Sequence, residues 1–347
     1  KSISNRLLYQ FVFWFFALAF YYFLRTFGKD SFVENSFVQW PLFLSIIALM
    51  AAFFFSLLDY FLQRLRKANV PFGHLILRSS IVYSLTSIVL FVFSALLILI
   101  LYGAEESEHT FYELVFSKEH LSFIVYTTIA GIIVSFIQEI NKKLGPGNLM
   151  KFIRGKFYSP SEDERIFMFL DLKSSTKAAE TLGHKNYSSM IQECFRDISI
   201  IDKYNGKFYQ FVGDEAVITW DKVNVENVCK AVHAFFHYKQ ILESKGDLYL
   251  GKYGIKPEFK GSVHGGKVMV AEIGEIKREI AYHGDPINTT ARMQSVCNEL
   301  GEVLLVSEFI EGIDHILAKE FVISQKHEVR LKGKNHKTVV FGVRQEK

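Results

Sequence analysis

Hydrophobic residues are concentrated in the first part of the chain, where four apolar stretches alternate with polar segments. Leu7–Leu24, Trp40–Leu58, Ile81–Tyr102 and Leu121–Ile137 are 18, 19, 22 and 17 residues long and contain no charged side chain. A helix that crosses the hydrocarbon core of a bilayer needs roughly 20 apolar residues, with about 17 as the lower limit. Buried helices of a soluble domain can be equally apolar, but four such lengths in succession favour a membrane. The pattern predicts a four-helix transmembrane domain over residues 1–137.

Charges between the stretches predict the orientation in the membrane. The segment between the second and third stretches is basic, the next is acidic, and the segment after the fourth stretch is basic again. The residues are Arg64, Arg66, Lys67 and Arg78, then Glu105, Glu106, Glu108, Glu113 and Glu119, then Lys142, Lys143, Lys151, Arg154 and Lys156. Positive loops stay on the cytoplasmic side. We therefore expect a protein of the inner cell membrane, in contact with lipid and with both termini in the cytoplasm.

Residues 138–164 form a predicted cytoplasmic connector. Gly145-Pro146-Gly147 interrupts the helical pattern, and Asn148–Tyr158 then mixes large apolar side chains with lysine and arginine. This composition is typical of an amphipathic segment at a membrane interface or between helices. A solvated linker is the alternative.

From Arg165 onward, short apolar runs alternate with helical periodicity, which predicts a folded domain over residues 165–347. Gly213-Asp214 and Gly265-Gly266 each separate two apolar runs and predict hairpin turns. Asp285-Pro286 fits a helix N-cap followed by proline at the first helical position. The order of elements predicts an α+β fold with an antiparallel-rich sheet and helices on one face.

Net charge and cysteine content exclude several classes of protein. The formal net charge of +4 is too small to indicate a nucleic-acid partner. The three cysteines, Cys194, Cys229 and Cys297, have no metal-type spacing and fit a reducing cytoplasm.

Two aspartates in the second half are candidate metal ligands. Asp171 ends a predicted buried strand, and Asp214 lies in a predicted turn 43 positions later. Carboxylates at a strand end and at a turn can meet at one edge of a sheet, and Mg²⁺ is often held by two such groups with water and phosphate. The alternative is that Asp171 caps a helix and Asp214 only forms the turn.

Asn288 and Arg292 are a second candidate pair. They are four residues apart on one predicted helix and therefore share a face. The guanidinium of arginine suits phosphate oxygens, and an asparagine amide can bind a sugar hydroxyl. Surface contacts are the alternative for this pair taken alone.

The combination of these segments resembles the class III nucleotidyl cyclases, and the resemblance covers roughly residues 160–347. The matching segments occur in the order of that family: Phe167–Thr176, Phe211–Glu215, Gly261–Gly274 and Gly284–Arg292. The resemblance implies a ferredoxin-like α+β catalytic domain. It also implies that Asp171 and Asp214, with the carbonyl of Leu172, hold two Mg²⁺ or Mn²⁺ ions in each active site.

Further roles follow from the same resemblance. Ser174, Ser175 and Thr176 would lie near the triphosphate, Asn288 would orient the ribose, and Arg292 would stabilise the α-phosphorus. Lys332 or Lys334 would bind phosphate. The implied reaction is attack of the ribose 3′-oxygen on the α-phosphorus, which converts ATP to 3′,5′-cyclic AMP and pyrophosphate. Because the family builds its site from two catalytic domains, a homodimer with two shared sites is implied.

Two positions depart from the family pattern. Gln210 stands where the family usually has lysine, and Ala281 stands where it has aspartate or threonine. These positions read the purine, and alanine has no side-chain hydrogen-bonding group. ATP is the expected substrate, with GTP as the alternative. The sequence is also compatible with a diguanylate cyclase-like enzyme and with a catalytically silent receptor or dimerisation module.

Overall fold

The computed structural model describes residues 2–26, 39–64, 72–102, 118–145, 148–276, 278–334 and 336–346. The chain divides into two compact units, Lys1–Lys143 and Leu144–Lys347. Arg66, Lys67 and the acidic residues of 105–113, on which the predicted orientation partly depends, lie outside the described ranges.

In the described part of the first unit, four long helices pack around an aromatic centre. They are α1 (Ser2–Thr26), α2 (Gln39–Arg64), α3 (Phe72–Tyr102) and α4 (Lys118–Leu144). Trp14 of α1 stacks on Phe55 of α2 with ring centroids 4.5 Å apart, and Tyr83 of α3 packs against Phe55 at 4.8 Å. Gly131 of α4 leaves room for Tyr83, since an added Cβ would lie only 2.8 Å from the Tyr83 side chain.

The outer surface of these helices is apolar. Leu8, Phe16, Phe53 and Leu85 are all more than half exposed. One helix segment among the described residues, Leu121–Asn141, is long and apolar enough to cross a membrane. The other three helices contain shorter apolar segments, at Leu7–Tyr21, Ala48–Leu58 and Ile76–Val89. The prediction of four spans therefore stays a prediction.

The second unit is a mixed α+β domain built on a nine-stranded sheet. Its strands are β1 (Ser161–Leu172), β2 (Lys207–Val212), β3 (Glu215–Asp221), β4 (Phe259–Ile273), β5 (Glu279–His283), β6 (Leu304–Ser307), β7 (Val322–Ile323), β8 (His327–Val329) and β9 (Thr338–Arg344). Its helices are α5 (Asn148–Ile153), α6 (Ser175–Asp197) with a 3₁₀ extension (Ile198–Tyr204), α7 (Val225–Ser244), α8 (Gly246–Tyr253), α9 (Asp285–Val296) and α10 (Ile313–Leu317).

The strand order places β1 near the middle of the sheet. The order is β2-β3-β1-β4-β6-β9-β7, with β5 paired to β4 and β8 paired to β9. The β4–β6 pair is parallel, whereas the other pairs are antiparallel. The predicted hairpin at Gly213-Asp214 is confirmed, because β2 and β3 pair with Val212 opposite Glu215.

Helices cover both faces of the sheet, so the prediction of helices on one face was wrong. Alternate residues of a strand point to opposite faces. Ile166, Met168 and Leu170 of β1 join the large core formed with α6, α7, α8 and α10. On the other face, Ser262 of β4 donates to the carbonyl of Thr290 in α9. Periodicity shows which side of a helix is buried but not the layer against which it packs, so the sequence could not separate α9 from the other helices.

The predicted hairpin at Gly265-Gly266 was also wrong, since β4 continues unbroken from Phe259 to Ile273. The two glycines serve close packing instead. A Cβ on Gly265 would lie 2.6 Å from the Phe309 ring, and one on Gly266 would lie 2.8 Å from Pro286. Gly266 thus lets the first turn of α9 approach the strand. The N-cap of α9 is Gly284 rather than Asp285, which is the first helical residue.

Candidate active site

A row of charged side chains crosses three strands on the α9 face of the sheet. Asp171 of β1 is paired with Glu215 of β3 on one side and with Lys260 of β4 on the other. Residues directly opposite each other in antiparallel strands share a face. The Lys260 ammonium is 3.3 Å from the Asp171 carboxylate, and the Lys260 side chain is buried. The row therefore places two carboxylates and one cation at the end of β1.

Asp214 adds a third carboxylate from the adjoining β2–β3 turn. Its Oδ2 atom is buried and has no hydrogen-bond partner among the described residues. Burial raises the pKa of Asp171, the Lys260 ammonium lowers it, and the Asp214 carboxylate raises it again. The structure thus brings Asp171 and Asp214 together, as the sequence predicted, and their mutual repulsion would be relieved by a cation.

The donor set fits a divalent hard cation. Two aspartate carboxylates, with the carbonyl of Leu172 beside Asp171, leave room in the coordination shell for water and phosphate oxygens, which is how Mg²⁺ is usually bound. No group of three or more His, Cys, Asp and Glu side chains in the described part of the chain is arranged to hold a metal ion. Asp171 and Asp214, which the structure brings together, would hold such an ion with water and phosphate as further ligands.

Sequence reasoning missed three residues beside this pair. Burial, followed by the charges of Asp171 and Asp214, raises the pKa of Glu215 to about 7. Burial and the same two charges raise the pKa of Tyr187, which is hydrogen-bonded to Ser175. Glu215 directly follows Asp214, and Lys260 is a charge within an apolar strand, so both gave a signal. Tyr187 gave none.

The segment after β1 forms an uncapped helix N-terminus. Ser174 has a left-handed conformation, with φ of 55°, and α6 begins at Ser175 without a side-chain cap. The first N–H groups of a helix have no partner within the helix and, with the helix dipole, attract anions. Ser174 and Thr176 are exposed and Ser175 is partly exposed. The predicted triphosphate residues thus lie at an anion-attracting position three to five residues beyond Asp171 in the chain.

Asn288 and Arg292 lie together on α9, as predicted. Asn288 is exposed and donates from Nδ2 to the carbonyl of Gly284 at 3.1 Å. The Arg292 guanidinium lies beside Gly333, since a Cβ added to Gly333 would be 3.4 Å from it. Lys334 forms an ion pair of 2.8 Å with Asp285 and is mostly buried.

The sequence left open whether Lys332 or Lys334 accompanies Asn288 and Arg292, and the structure distinguishes the surroundings of the two lysines. Lys332 is exposed, whereas Lys334 is fixed by Asp285 at the start of α9. Lys334, Asn288 and Arg292 therefore belong to one cluster, which holds two positive charges, the Asp285 carboxylate and an amide.

The two halves of the predicted site have different charged neighbours within one chain. The charged groups that act on Asp171 are Lys260 and Asp214. Arg292 lies beside Gly333 in the β8–β9 connection. Helix α9 itself packs across β4 and β1, and Gln294, two residues after Arg292, donates to the carbonyl of Lys260 at 3.0 Å.

The two positions predicted to read the purine come from neighbouring parts of the fold. The backbone N–H of Tyr282 donates to the Tyr209 hydroxyl at 3.3 Å, and the two rings are 4.8 Å apart. Gln210 follows a bulge in β2 and is exposed, whereas Ala281 is buried. Because Tyr282 packs in the cluster on the α9 face, Ala281 points to the opposite face.

The mixed α+β sheet thus carries one aspartate at the end of β1 and a second in the β2–β3 turn. A family model described as the adenylate and guanylate cyclase catalytic domain matches residues 157–343. Since this match covers more than half of the chain, the protein belongs to the adenylate and guanylate cyclase family.

Individual relatives agree with this assignment. The chain is 29% identical over 229 residues to "Adenylate cyclase 2" of Rhizobium meliloti (strain 1021), a match that spans 64% of this chain and 61% of the relative. Two structures of a bacterial light-regulated adenylyl cyclase share the fold, each with a TM-score of 0.52 and 16% identity. The two matches span 65% and 66% of this chain, and 66% and 67% of the respective cyclase chains.

The raised pKa of Glu215 predicts that the metal-free protein loses stability as pH rises. The folded state holds the Glu215 proton up to about pH 7, whereas an ordinary glutamate loses it near 4.5. The contribution is therefore complete below about pH 4.5 and is lost as pH rises through 7. A glutamine side chain stays neutral at every pH, so Glu215→Gln should reduce the pH dependence of the free energy of unfolding. The expected reduction is on the order of 1 kcal/mol after allowance for solvent screening.

Denaturant unfolding of chelator-treated protein, monitored by Trp220 fluorescence after Trp14 and Trp40 are replaced by Phe, measures this change. Glu311→Gln, at an exposed position, is the control. Equal pH slopes for the wild type and Glu215→Gln would contradict the assignment.

Proposed function

We propose that the protein is a membrane-bound nucleotidyl cyclase that converts ATP to 3′,5′-cyclic AMP and pyrophosphate. The observation that carries the proposal is the close pair of Asp171 and Asp214, with an unpartnered buried oxygen, in a domain of the cyclase family. Residues 165–347 are the catalytic domain, 1–137 the membrane domain and 138–164 the connector.

Asp171, Asp214 and the Leu172 carbonyl bind two Mg²⁺ or Mn²⁺ ions. Bound divalent ions supply positive charge that lowers the pKa of the ribose 3′-hydroxyl and neutralises the triphosphate. Ser174, Ser175 and Thr176 receive the phosphates at the uncapped start of α6. These residues act through positioning and electrostatic stabilisation, which dominate phosphoryl chemistry.

Lys334, Asn288 and Arg292 form the other half of the site. Asn288 orients the ribose, Arg292 stabilises charge on the α-phosphorus, and Lys334 binds the phosphates. As the family resemblance implies, each active site takes its two halves from different chains. A symmetric homodimer then has two sites.

ATP is proposed as the substrate because the curated relative is named an adenylate cyclase. GTP is the second candidate, since Gln210 can both donate and accept a hydrogen bond and Ala281 offers no polar group. The amide of Gln210 can therefore form hydrogen bonds with either adenine or guanine.

The membrane anchor is supported by the polarity of the helical unit. Gln10, Ser87, Thr127 and Ser135 are buried inside the unit, while large apolar side chains cover its outside. Soluble proteins rarely expose contiguous apolar surface of this extent. Helices in lipid instead keep their polar groups in the interior.

Asp171→Ala and Asp214→Ala should each lower cyclase activity by at least about a thousandfold, because either change removes half of the metal-binding charge. Purified protein with Mn²⁺ is assayed against ATP and GTP, and the products are separated by chromatography. Asp202→Ala, at an exposed aspartate of the same domain, is the control and should retain activity.

Near-normal activity of either variant would contradict the assignment of Asp171 and Asp214 as metal ligands. Cyclic GMP from GTP would redirect the substrate proposal, and a cyclic dinucleotide would indicate a diguanylate cyclase. Absence of any product from correctly folded wild type would favour a silent module.

Asp171→Ala and Arg292→Ala chains should be inactive alone and active together. Their heterodimer has one site with both defects and one intact site, so isolated heterodimer should show about half of wild-type activity, and an unfractionated equal mixture roughly a quarter. Co-expression with two affinity tags isolates the mixed species. An inactive heterodimer would mean that both halves come from one chain, contrary to the shared site.

A reporter fused after Lys347 should be cytosolic, and one inserted at Glu106 should be exported, because the basic loops remain inside. Glu106 lies outside the described residues. Paired alkaline phosphatase and fluorescent protein fusions measure the two locations. The reverse pattern, or the same location for both reporters, would overturn the four-span topology.

A further inference from the structure

The first segment of the second unit packs against the catalytic sheet on one side. Phe157 is buried against Phe167 and Phe169 of β1, with Phe152 of α5 beside it. The Phe157 carbonyl also accepts a hydrogen bond of 2.9 Å from the N–H of Glu272 in β4. The segment is therefore a fixed part of the catalytic domain rather than a free linker.

The other side of this segment is exposed and carries both apolar and basic side chains. Ile153 is 71% exposed and Tyr158 is 89% exposed, and Met150 is exposed as well. Arg154 and Lys156 are exposed between them. We call these five residues, together with the half-buried Lys151 beside them, the connector surface. Its composition is that of a segment that lies in a membrane interface, with apolar side chains to insert and cations for headgroups.

Positive charge is in excess around the connector surface. Burial, then the charges of Lys151 and Arg165, lower the pKa of Lys207 to about 8. Nearby, Arg165 and Lys207 are compensated by ion pairs with Asp163 and Asp221.

Lys151, Arg154 and Lys156 have no such compensation. None of the three has an acidic side chain within ion-pair distance in the parts of the chain that the structure describes. Three basic charges therefore remain for an external partner.

The connector surface follows α4 closely in the chain. Helix α4, which contains the apolar segment Leu121–Asn141, ends at Leu144, and α5 begins at Asn148, four residues later.

We propose that the connector surface binds the anionic lipid headgroups of the membrane that holds α4, and so docks the catalytic domain on the bilayer. Met150, Ile153 and Tyr158 insert between headgroups, while Lys151, Arg154 and Lys156 pair with their phosphates and carboxylates. The inference rests on the membrane anchor of the proposed function. A free phosphate would satisfy the cations but would leave the three apolar side chains in water, which favours a lipid surface.

The test places a fluorophore on the connector surface of the full chain. Ile153→Cys is labelled with an environment-sensitive dye in a Cys229→Ser background, since Cys194 and Cys297 are buried. Leu248→Cys, at an exposed apolar position of α8, is the matched control site. Both proteins are reconstituted in nanodiscs of phosphatidylcholine alone, or of equal parts phosphatidylcholine and phosphatidylserine, with a nitroxide lipid as quencher.

The label at position 153 should shift to the blue and be quenched by the nitroxide lipid in the anionic discs, while the label at 248 should not. Each neutralised cation should weaken this partitioning about fivefold, the equivalent of about 1 kcal/mol per basic residue near an anionic surface. The triple variant Lys151→Gln, Arg154→Gln, Lys156→Gln should therefore lose it by roughly a hundredfold. Salt at about 1 M should have a similar effect, since it shortens the screening length to about 3 Å.

A matched charge control is Lys185→Gln, Lys203→Gln, Lys319→Gln, which removes the same charge from exposed positions elsewhere in the domain. A label at 153 that stays in water in anionic discs would overturn the inference. Shielding without nitroxide quenching would indicate a protein contact and would overturn it too. Elution of the protein apart from the discs would reject the membrane anchor itself, and with it this inference.

Discussion

The repulsion between Asp171 and Asp214 is the constraint around which the catalytic unit is arranged. Burial raises the pKa of the Asp171 carboxyl, and the neighbouring Asp214 carboxylate raises it further. Lys260 offsets part of it, because β4 runs beside β1 in a register that places the ammonium opposite Asp171. The offset is incomplete, since Asp214 keeps a buried oxygen without a partner among the described residues. Because the two aspartates are balanced by a single lysine, a further positive charge would stabilise the cluster.

Local sequence predicted the parts of the fold that depend on neighbouring residues. The β2–β3 hairpin followed from Gly213-Asp214 because Gly213 needs a positive φ, of 63° here, that the dipeptide allows. The pair Gly265-Gly266 has the same local pattern, yet it lies inside a strand. The reason is tertiary: Phe309 and Pro286, which are distant in the chain, occupy the space where side chains would be. Glycine is used for a turn at one position and for close packing at the other, and only the fold distinguishes them.

The residues of the candidate site likewise fall into those that local sequence indicates and those that only the fold reveals. Asp171, Asp214, Asn288 and Arg292 lie within motifs, so they can be identified from sequence alone, with roles taken from a family resemblance. Lys260 and Glu215 act through cross-strand register, which pairs Asp171 with residues 89 and 44 positions away. Choosing Lys334 over Lys332 likewise required the ion pair with Asp285. Cross-strand pairs and ion pairs depend on how neighbouring strands align with each other. The hydrophobic pattern of the sequence does not show which residues will lie opposite a charged side chain.

The proposed division of the active site between two chains would give the helical unit a physical role. If catalysis needs Asp171 of one chain and Arg292 of another, activity depends on how often two chains meet. Confinement of both chains to a membrane raises their effective concentration without any new contact, as a tether does for linked domains. Docking of the connector surface on lipid would add orientation to proximity, because Phe157 ties that surface to β1, the strand that carries Asp171.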